Sequence, residues 1–305
     1  MNIVINIDKN YVGIASVMLY SLLENNKTPT DIYIFNDDLR KEDIERINNS
    51  LLEFNNYNLI DIKINSTMFP VDTSTLTKRW GKAVFYRLLV SEFLPETVDR
   101  ALYMDTDIIV DGEIINLYNI DLKNNYIAAC LDTEVSDLFD NSRIGIDNAN
   151  IYFNSGVVLF DIQRIRRDNI LDISNINTVI NNMGDNLLFP DQDLLNVIFV
   201  GKTLVLEYRK YNFLCARSRY SSRLLRMYGR KAVIFHYGGE QWHRPWNYFY
   251  VGKFAKLFWK YALKTPYGES IKTRRYVNWI LKPFFVCWFD IRLILIKVRS
   301  KLGWG

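Results

Sequence analysis

Short apolar runs recur along most of the chain, and longer segments with a helical spacing of apolar residues separate them. The short runs predict buried β-strands and lie at residues 3–7, 32–35, 59–64, 100–110, 127–131, 151–153, 153–161 and 232–235. The helical spacing occurs at residues 12–26, 39–54, 82–93 and 189–196. Strands that alternate with helices over short connections predict an α/β domain with a mostly parallel sheet flanked by helices.

The run at residues 100–110 is apolar and β-forming, but two carboxylates, Asp105 and Asp107, interrupt it. Asp is depleted in strands, and it costs stability there unless water, a hydrogen bond or a cation meets it. Residues i and i+2 of an extended chain point to the same side, so the two carboxylates would offer a divalent cation oxygen ligands at one spot. A turn with Asx hydrogen bonds explains the same residues, and a second Asp-x-Asp occurs at Asp191 and Asp193. The pattern alone leaves both interpretations open.

Two further sets of polar residues lie where a ligand could reach them. Asp8, Asn10 and Tyr11 follow the first predicted strand, and ligands of parallel sheets bind beyond the carboxyl ends of the strands. Ordinary helix capping explains these residues equally well. Arg87 lies in the apolar stripe of residues 82–93, where an arginine is usually paired or extends its charge to solvent, and contacts a ligand less often.

A patch of small polar residues, Asn154-Ser155-Gly156, interrupts the predicted strand at residues 153–161 near its start. Glycine within a strand often marks a bulge or the close approach of a ligand. Pro190 predicts the start of a helix, and Asp191 suits the positive end of that helix dipole. This structural explanation of Asp191 is complete, so the local pattern assigns it no chemistry.

The two histidines of the chain lie in one segment after the last predicted strand. His236 and His243 enclose the pair Gly238-Gly239, and Arg244 follows them. The backbone N–H groups of such a loop, together with a cation, can bind a phosphate. A buried neutral histidine is also a common hydrogen-bonding residue of protein cores, so both roles stay open here.

The composition is that of a globular protein, with 49% apolar and 24% charged residues in a chain of 305. That length allows one large or two ordinary domains. The three cysteines, Cys130, Cys215 and Cys287, match neither a disulfide framework nor a zinc spacing and predict a reducing compartment. No signal peptide and no window of about 18 uncharged apolar residues is found. We therefore expect a cytoplasmic protein without a spanning helix.

The charge of the chain is divided unevenly. Residues 253–305 contain 12 Lys and Arg but only two acidic residues, whereas the rest of the chain has 26 basic and 32 acidic residues. Four of the seven tryptophans also lie in this segment. Basic residues interleaved with aromatic ones predict an interfacial helix on an anionic membrane. A helix packed on the main domain is the alternative, and the acidic body argues against nucleic-acid binding.

Six motifs follow one another along the chain. They are Asn6-Ile7-Asp8-Lys9-Asn10-Tyr11, Phe85-Tyr86-Arg87-Leu88, Leu102-Tyr103-Met104-Asp105-Thr106-Asp107, Phe153-Asn154-Ser155-Gly156-Val157, Asp191-Gln192-Asp193-Leu194-Leu195-Asn196 and His236-Tyr237-Gly238-Gly239. In this order they resemble the retaining glycosyltransferases of family 8, in particular bacterial lipopolysaccharide and lipooligosaccharide glucosyl- and galactosyltransferases. The resemblance covers about residues 1–250 and implies a GT-A catalytic domain, Rossmann-like, there. The basic and aromatic residues that follow predict a membrane-associating region at residues 251–305.

The resemblance also implies four groups of site residues. The uridine of a UDP-sugar would contact Asp8, Asn10 and Tyr11. Mn²⁺, with Mg²⁺ as the alternative, would be bound by Asp105, Asp107 and His236. The donor sugar and its chemistry would involve Arg87, Asn154, Asp191 and Gln192. The donor nucleotide and its phosphates would further contact Asp105, Thr106, Gly239 and Arg244.

Physical chemistry agrees with these implied roles. Breaking the anomeric C–O bond builds negative charge on a diphosphate, and a divalent metal together with a cation offsets that charge. Two carboxylates and an imidazole suit Mn²⁺ at least as well as Mg²⁺. The chain departs from the family at Arg244, where a lysine before Pro-Trp is usual. Arginine can hold a phosphate bidentately, and His243 is the alternative phosphate contact.

Retention of configuration requires either a protein nucleophile, for which Asp191 is the candidate, or attack by the acceptor from the face that the leaving group departs. We favour the second. The expected function is transfer of glucose or galactose from a UDP-sugar to a lipopolysaccharide-type or other cell-surface glycan at the inner face of the cytoplasmic membrane. A non-catalytic nucleotide-sugar-binding or membrane-scaffolding protein is the alternative. A metal-dependent nucleotidyltransferase would leave Asn154-Ser155-Gly156 and Asp191-Gln192 unexplained.

Overall fold

The computed structural model describes residues 1–65, 83–132, 141–147, 150–183, 186–215 and 231–301 of the chain. Its strands are β1 (Asn2–Asn6), β2 (Thr30–Asn36), β3 (Tyr57–Lys63), β4 (Arg100–Met104), β5 (Ile108–Val110), β6 (Ile127–Leu131), β7 (Phe153–Asp161), β8 (Thr203–Leu206), β9 (Phe213–Leu214) and β10 (Ile234–His236). Its α-helices are α1 (Val12–Asn25), α2 (Lys41–Asn49), α3 (Val90–Phe93), α4 (Ile115–Tyr118), α5 (Ile162–Arg167), α6 (Ile173–Met183), α7 (Pro190–Ile198), α8 (Tyr208–Tyr211), α9 (Ala255–Ala262), α10 (Pro266–Ser270) and α11 (Lys272–Lys301). Short 3₁₀ helices occupy Ala83–Leu89, Asn141–Ile144 and Gln241–His243.

The strands of the described residues form two sheets. Seven strands make the main sheet in the order β3-β2-β1-β4-β7-β6-β8, and β5, β10 and β9 make a second sheet of three. From β3 to β4 neighbouring strands are parallel, β7 is antiparallel to both of its neighbours, and β8 is parallel to β6. The prediction of a mostly parallel sheet flanked by helices is confirmed. Because β1 and β4 are parallel neighbours, the polar residues that follow them lie at the same edge of the sheet.

Apolar side chains cover both faces of the main sheet. In β1, Ile3 and Ile5 pack into the cluster that contains α1, whereas Val4 packs into the cluster on the opposite face. In β4, Leu102 and Tyr103 are divided between the two clusters in the same way. Successive side chains of a strand point to opposite faces, so a strand covered on both faces is an almost continuous apolar run. This is why the strands are recognisable in the sequence.

The apolar run at residues 100–110 is two strands in different sheets, not the single strand that its composition predicts. The backbone N–H of Asp105 donates to the Gly156 carbonyl at 2.8 Å and so continues the pairing of β4 with β7. The Tyr237 N–H donates to the Asp107 carbonyl at 2.8 Å, beside the second sheet. The two aspartates therefore lie in the connection between the sheets, not side by side on an extended strand.

Two other predicted boundaries differ from the structure. Ala83–Leu89 is a 3₁₀ helix and only α3 is α-helical, whereas the spacing predicts one helix at residues 82–93, whose first residue lies outside the described ones. The Nε atom of Arg87 donates to the Val84 carbonyl at 3.1 Å, and this bond competes with α-helical pairing of that carbonyl. The strand predicted at residues 232–235 is β10, so His236 ends a strand instead of opening a loop.

The predicted helical C-terminal segment is confirmed, and its first part is buried. Phe258 and Trp259 of α9, and Ile271 after α10, belong to the same apolar cluster as α1. A Cβ atom at Gly13 of α1 would overlap the ring of Tyr267 in α10, so these two helices lie in close contact. The segment at residues 255–271 thus packs one side into the hydrophobic core, while residues such as Lys256 and Lys264 are exposed.

Helix α11 differs from the segment before it because it presents large apolar side chains to solvent. Trp279 is 79% exposed and Phe284 is 71% exposed. Its start is held by Asn278, whose side-chain amide donates to the carbonyls of Tyr248 and Tyr250 at 2.8 and 2.9 Å. Among the described helices, none combines the length and the apolar character that crossing a bilayer requires.

Candidate active site

Two aspartates and a histidine meet between the two sheets. The Nε2 atom of His236 lies 3.1 Å from Oδ1 of Asp107 and 3.6 Å from Oδ2 of Asp105. One ligand atom from each residue lies within 4.8 Å of the others. We call this set the carboxylate–histidine cluster. The Asp105 side chain is 23% exposed, so the cluster can be reached from solvent.

The donor atoms of the cluster fit a divalent cation. Two carboxylates and an imidazole are a ligand set that suits Mn²⁺ and other divalent metals. The Nδ1 atom of His236 lies 2.9 Å from Oδ1 of Asn212, so Nε2 is the ring nitrogen that faces the carboxylates. A Cβ atom at Gly156 would overlap the His236 ring and approach Oδ2 of Asp105 to 2.7 Å. Glycine at position 156 is therefore what allows the cluster to close against β7.

Opposite charges within the cluster shift the pKa values of its members. Burial lowers the pKa of His236, but Asp107 and Asp105 together raise it more, so the net direction is upward. Burial raises the pKa of Asp107, but His236 and Arg244 bring it below its ordinary value. The raised pKa of His236 and the lowered pKa of Asp107 both indicate that the site favours a positive charge next to its carboxylates.

Arg87 joins the cluster to a third carboxylate. Its Nη2 atom lies 2.8 Å from Oδ1 of Asp105, and its Nη1 atom lies 3.2 Å from Oδ2 of Asp191. Its guanidinium also lies over the Tyr103 ring, 4.4 Å from the centroid. Burial raises the pKa of Asp191, and this effect together with the nearby Asp105 outweighs the lowering by Arg87. Arg87 is thus a buried, paired arginine that connects two groups of predicted site residues.

Asn154 and Gln192, which we call the amide pair, bind each other beside these carboxylates. Nδ2 of Asn154 donates to Oε1 of Gln192 at 3.1 Å and to Oδ2 of Asp132 at 3.0 Å. The Ser155 N–H also donates to Gln192 Oε1, at 3.1 Å, and the Ser155 hydroxyl donates to Asp191 at 2.9 Å. Asn154 and Ser155 of β7 are therefore hydrogen-bonded to Asp191 and Gln192 in the first turn of α7.

Tyr11 is the N-terminal polar residue that contacts the rim of the cluster. Nη1 of Arg244 donates to its hydroxyl at 2.5 Å, and the charge of Arg244 acts on Asp107. Asp8 and Asn10 lie next to Tyr11 on the surface, where the Asp8 carboxylate accepts the Asn10 N–H at 2.7 Å. That bond is the local turn interaction expected of an Asx residue.

Two further predicted contact residues lie in the connections beside the cluster. Thr106 is 6% exposed and separates the two aspartates of the cluster along the chain. Gly239 has a φ of +99°, which strongly favours glycine, and a Cβ atom there would lie 3.1 Å from Nδ1 of His243. The loop after β10 therefore depends on a glycine to turn back toward His243.

Three residues of the site were not predicted from the sequence. The Tyr103 hydroxyl donates to Oδ1 of Asp105 at 2.7 Å, and its position two residues earlier in the chain is a signal that could have identified it. Asp132 directly follows β6, as ligand-binding residues of such sheets often do. Asn212 lies outside the six motifs, and no pattern in the sequence marks it.

Comparison with known proteins identifies the family. Residues 2–249 match the family model described as glycosyl transferase family 8. The chain is 27% identical over 291 residues to a lipopolysaccharide 1,2-glucosyltransferase of Escherichia coli, covering 89% of this chain and 82% of that protein. It is 24% identical to a lipopolysaccharide 1,3-galactosyltransferase of Salmonella typhimurium, covering 88% of this chain and 79% of that protein.

The fold is also that of a solved glycosyltransferase. The crystal structure of the galactosyltransferase LgtC with donor and acceptor sugar analogs superposes with a TM-score of 0.72 and 23% identity. The superposition covers 87% of this chain and 96% of LgtC, and it supports the GT-A fold. The family match spans most of the chain, including all six motifs. The chain therefore belongs to glycosyltransferase family 8 and is a glycosyltransferase.

Proposed function

We propose that the protein is a metal-dependent, retaining hexosyltransferase that moves glucose or galactose from a UDP-sugar to a lipopolysaccharide-type or other cell-surface glycan. The observation that carries this proposal is the carboxylate–histidine cluster, whose ligand atoms lie within 4.8 Å of one another. Relatives that are described as lipopolysaccharide glucosyl- and galactosyltransferases support the choice of sugar and acceptor.

The metal-binding residues of this mechanism are Asp105, Asp107 and His236. Mn²⁺, or Mg²⁺ in its place, would offset the negative charge that develops on the departing diphosphate. Arg244 supplies a second positive charge at the rim of the cluster, where its Nη1 atom donates to the Tyr11 hydroxyl at 2.5 Å. An arginine in that position suits the phosphates of a nucleotide because its guanidinium can donate two parallel hydrogen bonds. Tyr11, with Asp8 and Asn10 beside it, would then contact the uridine.

The sugar-binding residues would be the amide pair with Arg87 and Asp191. A buried carboxylate near the anomeric carbon stabilises the positive charge of an oxocarbenium-like transition state. Arg87 and Ser155 both contact Asp191 Oδ2, at 3.2 and 2.9 Å, and so orient that carboxylate. Asn154 and Gln192 are hydrogen-bonded to each other and to their neighbours, and an amide is a poor nucleophile. We therefore assign the amide pair to binding the sugar and not to attacking it.

We infer front-face attack as the route to retention. The acceptor hydroxyl oxygen bonds to the anomeric carbon on the face from which UDP leaves, the C–O bond to the diphosphate breaks, and a leaving phosphate oxygen takes the hydroxyl proton. This route requires no covalent enzyme intermediate. Intact-mass analysis of the enzyme with donor alone is expected to find no glycosyl adduct, and an adduct on Asp191 would refute this route.

We also propose that the protein associates with the anionic inner face of the cytoplasmic membrane through residues 251–305. The exposed aromatic residues of α11, Trp279 and Phe284, support this role because aromatic side chains favour the bilayer interface. The basic residues around them would be attracted to anionic lipid. Since Phe258 and Trp259 of residues 255–271 are buried in the core, we assign the membrane contact to α11.

The experiment that tests the proposed function is a donor panel on the metal-stripped protein. UDP-glucose, UDP-galactose and their N-acetyl forms are each incubated with Mn²⁺, with Mg²⁺ and without metal, and released UDP is measured. We expect UDP release from one of the first two donors, only when a metal is added. Release from all four donors at equal rates, or release without metal, would contradict the proposal.

A further inference from the structure

Asn212 is a buried amide between the carboxylate–histidine cluster and the amide pair. It is 2% exposed and directly precedes β9, which pairs with β10, the strand that ends at His236. Its Oδ1 atom lies 2.9 Å from Nδ1 of His236, and its Nδ2 atom donates to Oδ1 of Asn154 at 2.8 Å. One side chain thus joins the histidine of the cluster to the amide pair.

Two backbone N–H groups determine how these amides are oriented. The Gly156 N–H donates to Oδ1 of Asn154 at 3.0 Å, and the Ser155 N–H donates to Oε1 of Gln192 at 3.1 Å. Nδ2 of Asn154 then faces two acceptors, Gln192 Oε1 and Asp132 Oδ2. Rotating the Asn154 amide by half a turn would bring oxygen against oxygen at both and remove the acceptor of Gly156.

This orientation determines which nitrogen of His236 carries the hydrogen. Oδ1 of Asn154 needs a donor, so Asn212 presents Nδ2 to it and Oδ1 to His236. An amide oxygen only accepts, so Nδ1 of His236 donates to it, and Nε2, 3.1 Å from Oδ1 of Asp107, is the ring nitrogen left to bind a metal ion there. Histidines that bind metals commonly donate their second N–H in this way, which orients the ring.

We propose that Asn212 is a positioning residue that holds His236 in its metal-binding tautomer and, through the same amide, orients Asn154 toward the donor sugar. The inference deepens the proposed function and rests on it for the metal and the sugar. It makes the two halves of the site interdependent, because a single planar amide serves both. A misplacement of about 1 Å in a site of this kind costs on the order of a hundredfold in rate.

Two substitutions separate the two hydrogen bonds of Asn212. Asn212→Leu removes both, and we expect it to weaken Mn²⁺ binding by about tenfold to a hundredfold, as the loss of a partner of a ligating histidine does. Asn212→Asp keeps an oxygen for Nδ1 of His236 but sets a carboxylate oxygen against Oδ1 of Asn154. We expect it to bind Mn²⁺ at least as tightly as the parent while kcat/KM for the donor, at saturating Mn²⁺, falls by about tenfold or more.

The affinity for Mn²⁺ is measured from the electron paramagnetic resonance signal of the free ion, which requires no turnover. Asn26→Leu is the matched control, because Asn26 is 3% exposed and its amide donates to the carbonyls of Leu22 and Gly112, away from the cluster. We expect this control to lower the melting temperature and to leave Mn²⁺ affinity at the parental value. If Asn212 had a purely structural role, Asn212→Leu would likewise lower the melting temperature and leave the Mn²⁺ affinity at the parental value.

Unchanged Mn²⁺ affinity in Asn212→Leu, or undiminished turnover in Asn212→Asp, would overturn the inference. The unsubstituted protein provides a second test, since its two histidines give a simple ¹⁵N spectrum of histidine side chains. With saturating Mg²⁺ bound, we expect His236 to carry its hydrogen on Nδ1, and the Nε2–H form would overturn the inference. If the unsubstituted protein itself binds no Mn²⁺, the proposed function fails together with this inference. If it binds Mn²⁺ but Asn212→Leu binds the ion equally well, only the role of Asn212 fails.

Discussion

The Nη2 atom of Arg87 lies 2.8 Å from the Oδ1 atom of Asp105, so a buried guanidinium touches the carboxylate–histidine cluster directly. The same guanidinium reaches Asp191 with Nη1 at 3.2 Å. A planar fork can serve two carboxylates at once, which the compact ammonium of lysine cannot do in the same geometry. Arg87 therefore determines the spacing between the metal-binding and sugar-binding carboxylates.

Replacing Arg87 by lysine tests this bridge. We expect Arg87→Lys to lower kcat by about a hundredfold, because either Asp105 or Asp191 loses its partner and moves relative to the other. Arg46→Lys is the matched control, since Arg46 is 64% exposed and pairs with Asp43 on the surface of α2. Steady-state kinetics with the preferred donor measure both, and parental kcat in Arg87→Lys would show that the bridge has no role.

Replacing Gly156 by alanine tests whether close packing of the carboxylate–histidine cluster against β7 is needed for metal binding. A Cβ atom there would overlap the His236 ring and lie 2.7 Å from Oδ2 of Asp105. We therefore expect Gly156→Ala to weaken Mn²⁺ binding by about tenfold or more, because it displaces metal ligands. Gly112→Ala is the control, since its Cβ would meet only Val233, at 3.4 Å. Equal Mn²⁺ affinity in the two variants, measured by titration, would contradict this account of the site.

Residues 100–110 show most clearly what their own composition could not predict. The apolar residues on either side of Asp105 are equally β-forming, so composition predicts one strand. The break is set by backbone partners from distant segments, Gly156 on one side and Tyr237 on the other. Local propensity contains no information about such partners. The main sheet was predictable because its strands are covered on both faces and are nearly continuous apolar runs.

The same limit applies to the site. Asp105 and Asp107 were recognisable as carboxylates in an apolar run, but their meeting with His236 was an implication of the family resemblance. Asn212 was not recognisable by either route, because its role is defined by two side chains that the fold brings to it. Residues of this kind become visible only through the hydrogen bonds of the folded chain.

A buried ion pair at the start of α7 supports the helix that carries Asp191 and Gln192. Arg143 donates to both carboxylate oxygens of Asp193, at 2.8 and 2.6 Å, and the Tyr152 hydroxyl donates to the same group at 2.5 Å. The Asp193 side chain is 0% exposed. The Asp193 carboxylate therefore links the 3₁₀ helix Asn141–Ile144 to α7.

We expect Asp193→Asn to lower the free energy of unfolding by about 3 kcal/mol, because breaking a buried pair leaves the arginine without its counter-charge. Urea denaturation measures this. Asp168→Asn is the control, since Asp168 pairs with the exposed Arg167 at 2.8 Å and a surface pair contributes little. Equal loss of stability in the two variants would contradict the structural role of Asp193.

The membrane role assigned to α11 is tested by removing residues 284–305. This deletion takes away Phe284 and Trp288, which are 71% and 57% exposed, and leaves Asn278 with its bonds to the preceding loop. We expect much weaker sedimentation with vesicles that contain anionic lipid and unchanged donor hydrolysis. Vesicle binding equal to that of the full chain would rule out this role.

A shorter chain that ends at Gly252 provides the contrast. It lacks Phe258 and Trp259, which are 1% and 3% exposed in the core. Losing such side chains costs about 3–5 kcal/mol each, so we expect this truncated chain to be unfolded by circular dichroism. A folded, active chain ending at Gly252 would show that α9 is dispensable to the core.

The central claim is that Asp105 and Asp107 bind the metal on which transfer depends. Its most direct test is UDP release by the Asp105→Asn, Asp107→Asn double variant over a titration of Mn²⁺, beside the parent protein. We expect saturable activation of the parent by Mn²⁺ and no activation of the variant at any concentration, because amides replace the anionic ligands. Parental turnover by the double variant, at the same Mn²⁺ concentrations, would contradict the claim.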